Sequence, residues 1–178
     1  MIMSDGRKSG MGSHQSHRMG KDEWLTPPEI LGALGEFDLD PCAPVDRPWD
    51  MAKKHYTILD NGLLLPWSGR VWCNPPYGYD TAFWLDKLVG HGNGVALIFA
   101  RTETKMFFDY VWDHADAILF IKGRVFFHHV DGTRAVTNSG APSCLIAYGE
   151  NNVESLHKSG ITGQIIALKQ NRRFGNAS

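Results

Sequence analysis

The chain has 178 residues, 43% of them hydrophobic, and sets 18 Lys plus Arg against 19 Asp plus Glu for a net charge of -1. That is enough sequence for one domain with its own core, and it excludes a chain that binds nucleic acid through overall positive charge; a polyanionic partner has to meet a local basic face. The longest apolar runs, "GVALIFA" and "AILFI", fall far short of the ~20 residues that span a bilayer, and no charged-then-apolar leader opens the sequence. Three well-separated cysteines, Cys42, Cys73 and Cys144, form neither a CxxC pair nor an even disulfide set, which fits a reduced compartment.

Residues 1–20, "MIMSDGRKSGMGSHQSHRMG", offer little to bury and read as a flexible tail. The domain is expected over 21–168, with a frayed tail over 169–178. In "TPPEILGALGEF", Thr26 followed by Pro27 and Pro28 predicts a helix start, with Ile30, Leu31 and Leu34 on one face and Gly35 as the stop. A short strand, "FDLD", follows. Residues 44–69 are irregular, punctuated by Pro44, Pro48, Asn61-Gly62 and Pro66, with a short helix expected around "WDMAKKHY". Connections of that length in a compact domain are often functional. Strand "RVWCN", a helix over 80–89, strand "GVALIFA", a helix over 103–113 and strand "DAILFI" then alternate. Apolar strands alternating with helices predict an α/β fold in a single domain, a mainly parallel sheet with helices on both faces. After a turn at Lys122-Gly123 come "RVFFHHV", the polar "DGTRAVTNSGAP", strand "SCLIAYG", a helix over 153–158 and a last strand "GQIIALK".

Ligands of open α/β sheets bind beyond the carboxyl ends of the strands, and two strands end there in polar residues: "FDLDPCA" and "VWCNPPY". The two prolines of the second fix φ twice and remove two backbone donors, so the strand must stop. Read alone, that is a strand terminator. It is also what methylation of an exocyclic amine needs. The amine's lone pair is delocalised into the base until acceptors hold its N–H groups; the Asn74 side-chain oxygen and the Pro75 carbonyl are two such acceptors, and they stabilise positive charge developing on nitrogen. Pro75 and Pro76 hold the geometry rigid, and Tyr77 offers a face for a flipped-out base. Neither a metal nor a covalent nucleophile is required.

At the first strand end, a carboxylate suits the ammonium or ribose hydroxyls of an adenosyl cofactor. Asp40 is the first candidate and Asp38 the second, with Trp24 and Thr26 as further contacts; the alternative makes Asp38 a solvating group and Trp24 a core residue. "GHGNG" precedes a strand instead of following one and reads as a helix-to-strand turn. Pro41-Cys42 has the look of a cytosine-C5 nucleophile, but no Glu-Asn-Val follows it, so Cys42 is expected to be packed or on the cofactor side. A basic and aromatic cluster, with Arg101, Lys122, Arg124, His128 and Arg134 as DNA-binding candidates, suits phosphates; a solvated loop is the alternative.

"DEWLTPPEI", "FDLDPCAP", "DNGLLLPWSGRVWCNPPYG", "ALIFARTET", "IKGRVFF" and "GAPSCLIAYG", in this order, resemble the phage-type DNA N6-adenine methyltransferase family over 21–149. The resemblance implies a reduced Rossmann-like class I methyltransferase sheet that carries methyl from S-adenosylmethionine by direct in-line transfer to N6 of a flipped-out adenine in double-stranded DNA, without a membrane or a metal. It implies a catalytic motif at Asn74, Pro75, Pro76 and Tyr77. It also implies cofactor contacts at Asp38, Asp40, Pro41, Cys42 and Ala43, with Trp24, Thr26 and Pro27 upstream. A cytoplasmic setting in a bacterial host, and roles in restriction-modification or regulation, belong to the same resemblance. The chain departs from the wider class in lacking a glycine-rich loop after the first strand, where Pro44 and Val45 stand, and in lacking a separate target-recognition domain. RNA, cytosine N4 and a protein amide remain alternative acceptors, and a non-catalytic nucleic-acid-binding module is the rival of another class.

Overall fold

Strand residues that alternate in sequence fall into two separate apolar layers, one on each side of a single sheet. In β4 (Gly94–Phe99), Val95 and Leu97 join a layer with Trp72, while Ala96 and Ile98 join the other with Val71 and Cys73 of β3 (Val71–Cys73). The structure is a computed structural model and describes residues 23–168. The tails expected over 1–20 and 169–178 lie outside the described residues.

The first layer is covered by α1 (Pro28–Leu34) and α4 (Glu150–Lys158), through Ile30, Leu31, Leu34 and Leu156. The second is covered by α2 (Thr81–His91) and by α3 (Lys105–Phe107), which runs directly into a π-helical turn at Phe108–Trp112. With β1 (Leu39–Asp40), β2 (Lys54–His55), β5 (Ala117–Ile121), β6 (Ser143–Tyr148) and β7 (Gly163–Ala167), the seven strands of the sheet take the order β2-β1-β3-β4-β6-β5-β7.

The sheet is mixed, which corrects the mainly parallel expectation. β2, β1, β3 and β4 pair in parallel, but β6 pairs antiparallel with both β4 and β5, and β7 antiparallel with β5. A parallel neighbour needs a crossover, usually helical. Residues 122–142 contain no helix among the described residues, so the chain turns at the sheet edge and re-enters in the opposite direction. β5 still runs parallel to β4, and β1, β3, β4 and β5 therefore all end at one carboxyl edge.

Three local expectations also change. No helix forms around "WDMAKKHY": the amides of Met51 and Ala52 donate to His55 Nε2 at 3.2 and 3.3 Å, and those of Lys53 and Lys54 donate to the carbonyls of Phe37 and Asp38 at 3.0 Å each. Those donors are spent on a ring and a strand end, leaving none for helical bonds. The helix over 103–113 begins at Lys105, after a Thr104 side chain that accepts from Phe107 N at 3.3 Å, and its second half is π-helical, with the rings of Phe107 and Trp112 5.2 Å apart between centroids. The start of α1 belongs to Pro27, whose carbonyl accepts from Ile30 N at 3.0 Å, with proline at the first helical position. Thr26 is too early to cap it. "GHGNG" is the turn expected, with Gly92 at φ 73 closing α2 by donating to Leu88 O at 2.8 Å.

Candidate active site

The two polar strand ends meet. β1 delivers Asp40, Pro41, Cys42 and Ala43, and β3 delivers Asn74, Pro75, Pro76 and Tyr77, to one cleft of ≈ 460 Å³, which Trp24 also lines. β1 and β3 are adjacent, with Leu39 opposite Val71, so the two halves stand one strand spacing apart, about 5 Å.

Within the motif, the Asn74 amide is oriented. Its Nδ2 donates to the Trp24 carbonyl at 3.2 Å, and because a carbonyl only accepts, Oδ1 must take the other direction. The Tyr77 hydroxyl approaches that oxygen at 3.5 Å, a long contact. The Pro76 carbonyl is occupied by Thr81 Oγ1 at 2.7 Å, whereas the Pro75 carbonyl receives no hydrogen bond among the described residues. Asn74 Oδ1 and Pro75 O are thus the motif's acceptors left for a ligand. Tyr77 stacks one face on Phe99, centroids 4.1 Å apart at 12°, and meets Phe127 edge-on at 6.1 Å. Only its other face is left for a planar ligand.

On the β1 side, Asp40 is 1% exposed and accepts from Cys42 N at 3.0 Å. Burial pushes its carboxyl up to about 7, against the pull of the Cys42 amide. The Cys42 thiol is pushed well up, chiefly by burial and then by Cys73, whose sulfur lies 4.0 Å away. A thiol so disfavoured as thiolate is a wall of the cleft and a poor nucleophile. Asp38 does not line the cleft. It accepts from Arg70 N at 2.8 Å and Lys53 Nζ at 3.2 Å, and the Arg70 amide, then Lys53, holds its carboxyl below the usual range. Thr26 and Pro27 stand outside the cleft too; Thr26 is fully buried, its hydroxyl without a hydrogen-bond partner among the described residues.

A family model for DNA N-6-adenine-methyltransferase (Dam) matches residues 13–166. The chain belongs to the Dam family. No curated protein and no solved structure matches it. Membership points to DNA adenine methylation, with DNA as substrate and a methyl donor as cosubstrate.

A further wall of the Dam cleft comes from the irregular connection, none of whose residues was a site candidate in the sequence. Asp60 accepts from Thr57 N at 2.8 Å and Thr57 Oγ1 at 3.0 Å, closing a turn that places Ile58, Asn61, Gly62 and Leu63 on the cleft. Gly62 lies so close to β1 that a Cβ would stand 2.0 Å from the Pro41 carbonyl oxygen. The Asn61-Gly62 pair, a turn signal in the sequence, thus packs directly on the chain that leaves β1. Lys87 of α2 clamps this wall, donating to the carbonyls of Gly62, Leu63 and Leu65 at 3.1, 2.6 and 2.5 Å, while Trp67 Nε1 donates to Gly62 O at 2.8 Å. Lys87→Met removes all three ammonium bonds without emptying the space. Titration calorimetry should show cofactor-product affinity falling about tenfold, the scale of one or two charge-assisted bonds, with the circular dichroism of the sheet unchanged.

Arg101, Lys122, Arg124 and Arg134 are exposed. Arg101 follows β4, and Lys122 and Arg124 follow β5, so these three share the carboxyl edge with Asn74. The Arg134 guanidinium lies 4.4 Å over the Phe126 ring. His128 is half-buried: its backbone pairs with Leu25 in both directions, at 2.8 and 3.0 Å, its ring meets Trp49 edge-on at 5.3 Å, and Nδ1 is buried. Among the described residues there is no cluster of three or more metal-ligating side chains and no helix long and apolar enough to cross a membrane.

Proposed function

We propose that the chain methylates N6 of adenine in double-stranded DNA, using S-adenosylmethionine on a Rossmann-like class I sheet. The observation that carries this reading is the fixed Asn74 amide, whose oxygen is left for a ligand beside the unoccupied Pro75 carbonyl acceptor. The residues present suit the cofactor, since a buried Asp40 carboxyl with one oxygen held by an amide, in a mostly apolar cleft, is complementary to a cationic amino-acid end. When bound, S-adenosylmethionine supplies a methyl carbon activated by its sulfonium for direct transfer. Asn74 Oδ1 and Pro75 O accept the two N6 hydrogens, draw the nitrogen towards a pyramidal geometry and stabilise the positive charge that grows on it. The two prolines keep these acceptors from relaxing, and the free face of Tyr77 supports a base turned out of the duplex. The nitrogen, once alkylated, is strongly acidic and gives its extra proton to water.

The test is incubation of the protein with tritiated S-adenosylmethionine and unmethylated duplex DNA, then nucleoside digestion and chromatography. Label is expected in N6-methyldeoxyadenosine. Label in N4-methyldeoxycytidine would change the base, and label only in RNA or protein would overturn the substrate.

A further inference from the structure

On the other side of Tyr77 lies a second, open groove of ≈ 320 Å³, lined by Tyr77, Tyr79, Thr81, Phe99, Arg101 and Met106. We propose that this groove is a nucleotide subsite, which holds the neighbour of the target adenine in the same DNA strand through stacking on Tyr79 and a phosphate contact from Arg101. The proposal rests on the DNA-methylation reading above.

Tyr77 lines both the cleft and the groove. Their occupants are therefore separated by one side chain, as adjacent nucleotides are when one base has been turned out and the strand is splayed. Phe99, which lines the groove and not the cleft, covers the groove-side face of Tyr77, so a base in the groove does not share the face that the target base uses. Tyr79 is 100% exposed and makes no ring contact with another aromatic among the described residues. Gly78, at φ 134, turns the chain outward just before it. A tyrosine held off the protein body presents a bare π-face, and bases of any identity stack on such faces.

The charge of the groove differs from that of the cleft. Asp40, Asp80 and Glu23 line the cleft, whereas Arg101 is, among the described residues, the sole charged one that lines the groove. Its guanidinium enters no ion pair and no side-chain hydrogen bond among the described residues; Arg101 bonds only through its backbone, to Phe99 O and from Thr104. An unpaired cation, an exposed aromatic face and no carboxylate together match a nucleoside phosphate, and do not match a cationic or purely apolar ligand.

Tyr79→Ala, Tyr79→Phe and Arg101→Gln test this by fluorescence anisotropy of a labelled duplex between 50 and 200 mM salt, in the presence of S-adenosylhomocysteine. The salt interval is about that over which a phosphate contact is read. Tyr79→Ala should weaken binding about tenfold with an unchanged salt slope, the size of a lost stacking contact, and Tyr79→Phe should restore it. Arg101→Gln should weaken binding and reduce the slope of log affinity against log salt by about one. S-adenosylhomocysteine affinity should stay at the wild-type value in all three, which shows that the fold persists. Wild-type duplex affinity in Tyr79→Ala, or an unchanged slope in Arg101→Gln, overturns the subsite while leaving the methylation reading intact. A wild-type protein that neither binds nor labels duplex DNA overturns both.

Discussion

Asn74→Ala should lower kcat for methyl transfer by about 10²–10³-fold, the effect of deleting one preorganised group aimed at developing charge. The KM for S-adenosylmethionine should move much less, because Asp40 and the loop clamped by Lys87 do not depend on the Asn74 oxygen. Two losses are superposed in this variant: the acceptor Oδ1, and the Nδ2 bond to the Trp24 carbonyl. Asn74→Asp separates them. A carboxylate keeps an acceptor towards N6 but cannot donate to Trp24, and two acceptors facing each other there repel. If the acceptor is what matters, Asn74→Asp retains clearly more activity than Asn74→Ala, with a lower melting temperature as the sign of the lost bond. Single-turnover measurement with saturating DNA reads the chemical step directly. Full activity in Asn74→Ala would remove the acceptor mechanism.

Much of the scaffold was legible because its central strands are almost wholly apolar and lie between clear turn signals. "VWCNPP", "GVALIFA", "DAILFI" and "SCLIAYG" each contain an observed strand. Strand direction was not legible, since a strand buried on both faces carries the same pattern whichever way it runs; only the helix-free stretch before β6 gave a hint. The β3 half of the cleft could be read from "NPPY", whose prolines dictate the local backbone. The other half was harder. Asp38 and Asp40 are two residues apart on one strand end, and nothing in "DLD" states which carboxyl is buried in the cleft and which is held by Lys53 and the Arg70 amide. The amides of Lys53 and Lys54, which a helix would have needed, go instead to the carbonyls of Phe37 and Asp38, and show how a long-range pairing can override a local pattern.

With Asp40 seated against the amino-acid ammonium, as proposed above, cofactor binding should depend on pH. In an unfolded chain an aspartate releases its proton near 3.8, whereas Asp40 in the folded protein holds it up to about 7, because burial penalises the ionised form. The folded state binds the proton more tightly over that interval. The stability contributed by protonated Asp40 is therefore fully present below about pH 4 and is lost as pH rises through about 7. A cation seated against Asp40 reverses the preference, since it stabilises the carboxylate, so binding below pH 7 must expel a proton. Affinity for S-adenosylhomocysteine, which carries the amino-acid ammonium without the sulfonium, should accordingly rise about tenfold per pH unit between about 5 and 7 and level off above. Calorimetry at pH 6 in two buffers of different ionisation heat should register close to one proton released. Asp40→Asn keeps the shape and the Cys42 amide contact but cannot ionise: its profile should be flat, its affinity at pH 8 lower than that of the wild type, and its cofactor-free form more stable at pH 8. A flat wild-type profile, with no proton released in the calorimeter, would overturn the pairing of a protonated Asp40 with the ammonium.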